Sequence, residues 1–300
     1  MVKELTYYLI KKGDKLFLDC TLGEGGHSEE ILTRFSSIIV YGLDRDAKIL
    51  EIAKNRLSIF HNRVHFVNLN FKDASLSKIK GGGDLFDSAL IDLGISMYHY
   101  KNSKLGFSFS QKEKLDMRLD EDSINVYDII NTYSEKELSD IFFKYGEERF
   151  SRKIANKIVK EREKYKLVYS DQLAGIIAGA IPRKFWRKNI HPATKCFQAL
   201  RIFANNEFEN IKIGIPKILS LLKKGGRLGV ITFHSLEDRI VKNIFNELYK
   251  DCICPKEAPI CTCGKRREIN WIARIISPSE EEIKRNPSSR SSKLRIVEKI

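Results

Sequence analysis

The chain has 300 residues, of which 42% are hydrophobic and 10% aromatic, enough apolar surface to offset the entropy lost on folding, which excludes a disordered protein. Its formal net charge of +14 favours polyanions, nucleic acid in particular, over neutral or cationic partners. No run approaches the roughly 18 apolar residues of a membrane-spanning helix, and no export signal is recognised. Six cysteines are too few for a disulfide scaffold, so we expect a reducing cytoplasm.

Short β-rich segments alternate with helical segments over roughly the first third of the chain. The β-rich runs are residues 16–20, 38–43, 64–69 and 86–92. Helix-like segments begin near His27, Ala47 and Ala74. This alternation predicts a parallel sheet with crossover helices, which binds its ligands at the carboxyl ends of the strands.

Residues 98–192 carry helical signals, such as 135–145 and 148–163, and no convincing buried strand. The α/β pattern then resumes with one long amphipathic helix over 197–222, a strand over 227–233, a helix from Leu236 and a last strand near 294–297. We therefore predict a doubly wound α/β domain made from residues 1–103 and 193–300. The inserted helical subdomain is residues 104–192.

The first strand ends at an acid and leads into a glycine-rich turn, in the order Asp19, Gly23, Gly25 and Gly26. Dinucleotides and S-adenosylmethionine both use such loops, but the third glycine of a dinucleotide fingerprint would fall at Ser28, so that fingerprint fails. An acid ahead of a shorter glycine turn is typical of S-adenosylmethionine sites. A plain left-handed turn between strand and helix is the alternative.

Further polar and aromatic residues follow the second and third strands. Asp44 ends the second strand, where a carboxylate can accept both hydroxyls of an adenosine ribose. The alternative role of helix cap is assigned to Asp46 instead. Phe71, after the third strand, fits either an adenine face or a buried staple.

The fourth strand ends with Asp92, and Ser96 follows four residues later. If the methyl acceptor is the exocyclic amine of a base, a nearby group must take an N–H proton while the nitrogen lies about 3 Å from the methyl carbon. Asp92 or Ser96 suits that role. Methylation of a pyrimidine carbon would need a cysteine nucleophile, and none lies near this strand end.

Eight blocks of this sequence carry a resemblance to a known family. They are DCTLGEGGH (19–27), DLGIS (92–96), GFSF (106–109), LDMRLD (115–120), YGEERF (145–150), HPAT with FQALRI (191–202), FHSLEDR (233–239), and NP through KLR (286–295). In this order they resemble the RsmH (MraW) family of bacterial 16S ribosomal RNA cytosine-N4 methyltransferases. The resemblance implies a Rossmann-like class I methyltransferase that uses S-adenosylmethionine on a cytosine of the decoding region.

By position, the resemblance places the cofactor contacts on Gly25, Gly26, His27, Asp44, Phe71, Asp92 and His99. Family members commonly have glutamine at the position of His99, and imidazole can replace an amide as donor or acceptor. The His-x-Pro-Val segment that precedes the family's first helix is missing here. We expect either a misassigned start codon or an incomplete pocket rim.

Two acid-free basic clusters are candidates for binding RNA. Six Lys or Arg residues lie between Pro182 and Arg201, and aromatic side chains that suit unpaired bases are interleaved with them. The candidates there are Arg183, Lys184, Trp186, Arg187, Lys188 and His191. The second cluster is Arg290, Lys293 and Arg295. A solvated helix face anchored by Trp186 is the alternative for the first cluster.

Asp116, Arg118 and His234 each allow a functional and a structural interpretation. Asp116 and Arg118 form either a substrate contact or an internal ion pair that pins their loop. His234 either contacts a base or precedes a helix that Ser235 caps.

Cys252, Cys254, Cys261 and Cys263 offer four thiols within 12 residues. Four thiolates can enclose zinc, but the one-residue spacings are tighter than the usual two to four, which favours free loop thiols and no metal.

The sequence therefore predicts N4-methylation of a cytosine in 16S ribosomal RNA, within the assembled or assembling 30S subunit. The candidates for amine contact are Asp92, Ser96 and Asp116. Two alternatives stay open. One is a methyltransferase that acts on a protein or small molecule, and the other is an RNA-binding module that keeps the fold without turnover.

Overall fold

The computed structural model describes residues 1–188, 190–255 and 260–300. The chain divides into a first unit, residues 1–95 with 208–300, and a second unit, residues 96–207. The predicted insert, residues 104–192, falls within the second unit. None of the helices in the described ranges is both long enough and apolar enough to cross a membrane.

The first unit contains one sheet of seven strands. They are β1 (Leu16–Asp19), β2 (Ile39–Asp44), β3 (Val64–Asn68), β4 (Phe86–Asp92), β5 (Leu222–Thr232), β6 (Ile269–Ile276) and β7 (Lys293–Lys299). Their order is β3-β2-β1-β4-β5-β7-β6. All run parallel except β7, which pairs antiparallel with both β5 and β6.

Thirteen α-helices are assigned within the described residues. They are α1 (Val2–Leu9), α2 (Gly26–Arg34), α3 (Ala47–Leu57), α4 (Leu76–Lys80), α5 (Met97–Lys101), α6 (Val126–Thr132), α7 (Glu135–Gly146), α8 (Ser151–Arg162), α9 (Ser170–Ala180), α10 (Thr194–Ala204), α11 (Glu207–Ser220), α12 (Ser235–Tyr249) and α13 (Glu280–Arg285).

Alternate residues of the central strands enter cores on opposite faces of the sheet, because successive side chains of a strand point to opposite sides. Phe17 and Leu90 pack in one core, which includes residues of α1, α2 and α3. Leu18 and Ile91 pack in the other, with residues of α4, α11 and α12. The sheet is thus covered on both faces, as parallel sheets require. The predicted doubly wound, Rossmann-like fold is confirmed.

The second unit is built from α5 to α10. A capping box opens α7, in which Ser134 and Glu137 satisfy each other's backbone N–H groups. At the other end of α7, a Cβ on Gly146 would lie 2.6 Å from the carbonyl oxygen of Lys195. Only glycine therefore allows α7 and α10 to approach so closely.

One prediction about the fold is wrong, and one strand was not predicted. The long helix over 197–222 is two helices, because Asn206 adopts a φ of +50° and interrupts it between α10 and α11. The side-chain amide of Asn205 there donates to Met117 O and accepts from Leu119 N–H. Strand β6 was not predicted at all, since its burial does not alternate regularly.

Candidate functional site

The carboxyl ends of β1, β2 and β4 lie at one edge of the sheet. Between β1 and β4 the strand order changes direction, so that the chain connections on either side lead away from each other. From β1 the connections run outward to β2 and β3 on one side, and from β4 to β5 on the other. Such a switch point leaves a crevice beyond the strand ends, the usual ligand site of open α/β sheets. Asp19, Asp44 and Asp92 end these three strands.

Asp19 organises the turn after β1 from a buried position. Its carboxylate accepts a hydrogen bond of 2.7 Å from Ser28 Oγ and one of 3.3 Å from Thr21 N–H. Burial raises the pKa of Asp19 to about 6, although these hydrogen bonds and the nearby His27 oppose the rise. Since the residue is only 1% exposed, we assign it the role of holding the loop in shape.

The glycine loop depends on backbone conformations that other residues adopt at a cost. Gly23 and Gly25 have φ angles of +54° and +83°, and Gly25 is the N-cap of α2. A Cβ on Gly25 would lie 3.0 Å from Leu57 Cδ1. Glycine at this position thus keeps bare backbone at the crevice.

Asp44 ties the glycine loop to the end of β2. One of its oxygens accepts from Gly23 N–H at 2.9 Å and the other from Asp46 N–H at 3.0 Å. Burial raises the pKa of Asp44, and these two bonds oppose the rise. Each carboxylate oxygen has a second lone pair for another donor, such as a ribose hydroxyl. The predicted cap of α3 is confirmed as Asp46, which accepts from Lys48 N–H.

Asp92 and His27 form the polar pair at the centre of the crevice. His27 Nε2 lies 3.2 Å from Asp92 Oδ2, while the backbone N–H of Asp92 donates to Thr21 Oγ1 at 2.7 Å. Burial lowers the pKa of His27, but its hydrogen bond to Asp92 and the charges of Asp92 and Asp19 outweigh burial and raise it. The sequence analysis assigned no role to Thr21 and Ser28, although Thr21 lies inside the glycine-rich block and Ser28 directly follows it.

Two buried atoms of this pair, Asp92 Oδ1 and His27 Nδ1, have no hydrogen-bond partner within the described residues. Buried polar atoms are usually satisfied, so an unpartnered acceptor at a ligand crevice indicates a bound polar group. Together with the bare glycine backbone and the spare lone pairs of Asp44, these atoms fit an adenosyl amino acid.

Phe71 and His234 occupy structural positions in the first unit. Phe71 is 9% exposed, and its ring lies so close to α11 that a Cβ on Gly214 would fall 2.2 Å from it. His234 is the N-cap of α12: its Nδ1 accepts from Glu237 N–H at 3.4 Å, and Nε2 lies 2.8 Å from Glu237 Oε1. The expectation that Ser235 caps this helix is wrong, because Ser235 is its first helical residue.

Several candidates lie in the second unit. Ser96 is the N-cap of α5 and accepts from Tyr98 N–H at 3.1 Å. His99, on α5, is 4% exposed and contacts the ring of Phe107.

Asp116 binds Arg118 through both oxygens, with Nε to Oδ1 at 2.6 Å and a second bond of 3.0 Å to Oδ2. The internal ion pair considered from the sequence is therefore present.

The basic segment of the second unit is exposed where it is described. Arg183, Lys184, Phe185, Trp186, Arg187 and Lys188 are all exposed, as is His191; Asn189 lies outside the described residues. Trp186 is 42% exposed, although its Nε1–H donates to Ile181 O at 3.0 Å. The ring of His191 packs on Phe109, with centroids 4.6 Å apart. The rings of Trp186 and His191 therefore lie within a segment of exposed cations.

The sequence indicated that the second basic cluster is free of acid. The structure contradicts this. Asp238 of α12 accepts from Arg295 Nε at 2.8 Å and lies 3.2 Å from Lys293 Nζ. Arg295 is 3% exposed, so its guanidinium belongs to a buried ion pair. Arg290 is exposed. No local pattern in the sequence reveals this ion pair, because Asp238 and Arg295 are 57 positions apart in the chain.

The strand order, the acid-ended strands and the glycine loop define a Rossmann-like class I methyltransferase. The model of the MraW methylase family matches residues 1–300. This chain belongs to that family.

Curated relatives are similar over almost their whole length. The ribosomal RNA small subunit methyltransferase H of Treponema denticola is 47% identical over 289 residues, which cover 96% of this chain and 91% of that protein. The protein of the same name from Clostridioides difficile is 44% identical over 292 residues, 96% of this chain and 94% of that one. The one from Caldicellulosiruptor saccharolyticus is 42% identical, covering 100% and 98%.

Proposed function

We propose that this protein transfers the methyl group of S-adenosylmethionine to the N4 amine of a cytosine in the decoding region of 16S ribosomal RNA, within the assembled or assembling small subunit in the cytoplasm. The relatives carry the name of small-subunit ribosomal RNA methyltransferases. The observation that carries the proposal is Asp92 Oδ1 at the carboxyl edge of the sheet, beside the glycine loop and Asp44, which has no hydrogen-bond partner in the part of the chain that the structure describes.

In this proposal the cofactor is held by Gly25, Gly26, His27, Asp44, Phe71 and Asp92 of the first unit. The contact that the resemblance places on His99 stays a prediction. S-adenosylmethionine supplies an electrophilic methyl group on a sulfonium. Asp44 binds the ribose hydroxyls with the lone pairs that Gly23 and Asp46 leave open. Phe71 offers little contact area, because it is 9% exposed.

The acceptor amine of cytosine is a weak nucleophile because its lone pair is delocalised into the ring. We infer that Asp92 Oδ1 accepts an N–H hydrogen bond from this amine and takes the proton as the C–N bond forms and the bond from the methyl carbon to the sulfonium sulfur breaks. His27 Nε2 lies 3.2 Å from the other oxygen of Asp92 and thereby fixes the carboxylate. Ser96 and Asp116 are weaker candidates, because Ser96 caps a helix and Arg118 occupies both oxygens of Asp116.

We propose that the helical insert, residues 104–192, recognises RNA through its exposed basic segment. Its exposed cations bind phosphates while Phe185 and Trp186, 40% and 42% exposed, stack on unpaired bases. Arg118, His234, Arg290 and Lys293 complete the proposed RNA contacts. Of these residues, Lys293 is the least able to bind a phosphate, because it already pairs with Asp238.

The test is methyl transfer from labelled S-adenosylmethionine to small subunits that lack the modification, followed by digestion to nucleosides. We expect label in N4-methylcytidine, and label on ribose or uridine would overturn the target. Asp92→Asn should slow transfer on the order of 100-fold, as expected for loss of a proton acceptor. Asp140→Asn, an exposed carboxylate on α7, is the matched control and should transfer at the normal rate.

RNA binding is tested through its salt dependence. Lys184→Ala and Arg187→Ala should each lower the slope of log affinity against log salt by about 1, because each removes one phosphate contact. Lys48→Ala, exposed on α3, should leave the slope unchanged. Equal slopes in all three variants would contradict the assignment of the basic segment.

A further inference from the structure

Four cysteines outside the methyltransferase site converge in the connection between α12 and β6. The sulfur atoms of Cys252, Cys254, Cys261 and Cys263 all lie within 4.8 Å of one another. Cys252 and Cys261 are 3.5 Å apart, Cys261 and Cys263 3.6 Å, Cys252 and Cys263 3.8 Å, and Cys254 and Cys261 4.0 Å.

These separations match the edges of a sulfur tetrahedron around a zinc ion. With zinc–sulfur bonds of about 2.3 Å, a regular tetrahedron has sulfur–sulfur edges of about 3.8 Å. Four of the six edges, at 3.5–4.0 Å, bracket that value, and all six are within 4.8 Å. A disulfide needs sulfur atoms about 2.05 Å apart, so none of these pairs has the geometry of a bond.

Hydrophobic burial does not explain the convergence. Every described residue between Lys250 and Glu268 is exposed or half-exposed, and Ile253 and Ile260 are 59% and 75% exposed. Ordering a long connection without a core of its own costs conformational entropy that another interaction must offset. A bound metal supplies such an interaction, because its binding free energy becomes folding free energy.

The surroundings of the sulfurs suit thiolates. Cys254 N–H donates to Cys252 Sγ at 3.3 Å and Ile253 N–H donates to Cys263 Sγ at 3.5 Å, the kind of outer hydrogen bond that orients metal ligands. Residues 250–268 contain five Lys or Arg and three Asp or Glu, a net charge of +2. That charge offsets the −2 of a zinc ion with four thiolates.

We propose that Cys252, Cys254, Cys261 and Cys263 bind one zinc ion in a structural centre. Four protein ligands leave no open position for water or substrate, so the centre has a structural role and takes no part in methyl transfer. It fixes the connection that leads into β6, next to the hydrogen bond from Glu268 N–H to Leu248 O at 2.9 Å. The sequence-based preference for free thiols is replaced by this proposal.

The first test is the metal content of the full chain, purified anaerobically without a metal-affinity column and measured by plasma mass spectrometry. We expect one zinc per chain. Cys261→Ser should lose it, while Cys196→Ala, which changes a buried cysteine of α10, should keep it. Circular dichroism of both variants separates loss of the ligand from loss of the fold.

The second test uses the unaltered sequence. Replacing zinc with cobalt should give the visible absorption and sulfur charge-transfer bands of a tetrahedral thiolate site. Four native thiols should resist alkylation until a chelator is added. A chain without metal, iron in place of zinc, disulfides seen by mass spectrometry, or zinc that persists in Cys261→Ser would each overturn the proposal.

Discussion

Replacing Asp19 by asparagine should make the protein more stable at neutral and higher pH, although it removes a charged residue at the heart of the candidate site. The pKa of Asp19 is raised to about 6 because the carboxyl group is buried. The folded protein therefore holds its proton more tightly than the unfolded chain, whose aspartates titrate near pH 3.9. This destabilising effect is absent well below that value, grows as the pH rises, and is complete above about pH 6.

The size of the effect follows from the shift. A difference of about 2 pKa units corresponds to about 3 kcal/mol of unfolding free energy at pH 8, and to about half of that at pH 5. Asparagine can keep both hydrogen bonds, since its carbonyl oxygen accepts from Thr21 N–H and its amide donates to the Ser28 hydroxyl. Asp19→Asn should thus gain up to about 3 kcal/mol at pH 8 and about half as much at pH 5.

Urea denaturation at both pH values measures the difference. Asp87→Asn is the matched control, in which the effect on stability has the opposite sign. Burial raises the pKa of Asp87, but hydrogen bonds from Lys223 and from the N–H groups of Leu16 and Lys15 lower it by more, so the net shift is downward. Its carboxylate therefore stabilises the fold above its unfolded pKa, and that contribution is lost as the pH falls. A less stable Asp19→Asn protein at pH 8 would refute the reasoning.

Three further substitutions test two other residues of the site and one buried ion pair of the fold. Gly25→Ala should cost about 1 to 3 kcal/mol and weaken S-adenosylmethionine binding in calorimetry, because φ is positive and Leu57 is close; unchanged stability and affinity would contradict this. His27→Gln should lose the attraction to Asp92, which exists below the ordinary histidine pKa and disappears as the pH rises through the raised pKa. In urea, the loss of unfolding free energy should therefore be larger near pH 6 than near pH 9. An equal loss at both pH values would argue against the pair. Arg295→Met should lower stability by at most about 3 to 5 kcal/mol, since it breaks a buried ion pair and leaves Lys293 as the remaining ion-pair partner of Asp238. The salt dependence of RNA binding should not change, and an unaltered melting temperature would oppose that view.

Local patterns in the sequence were sufficient for the centre of the fold. Residues 86–92 form a strand with the predicted bounds. Strand β1 ends one residue earlier than predicted, and β2 begins and ends one residue later than predicted. Asp46 was identified as a cap because capping depends on the next few residues alone. The long amphipathic pattern over 197–222 was misleading. The helix is interrupted after residue 204, where the side chain of Asn205 forms hydrogen bonds with residues far away in the sequence.

The arrangement of the site was only partly predictable. Acids at strand ends follow from strand prediction, so Asp19, Asp44 and Asp92 could be grouped in advance. Their different roles could not, because burial of Asp19 and the pairing of Asp92 with His27 depend on tertiary packing. The ion pair of Asp238 with Arg295 and the convergence of the four cysteines likewise required the folded chain.

The position of β7 governs when the sheet can be completed during synthesis. This strand lies between β5 and β6, yet it is translated after both of them. Until residues 293–299 leave the ribosome, β5 and β6 each present a row of unsatisfied backbone groups, and such open edges can pair with other chains. A nascent molecule is therefore exposed to aggregation until residues 293–299 have been translated, and chaperone dependence should fall sharply once this segment has emerged.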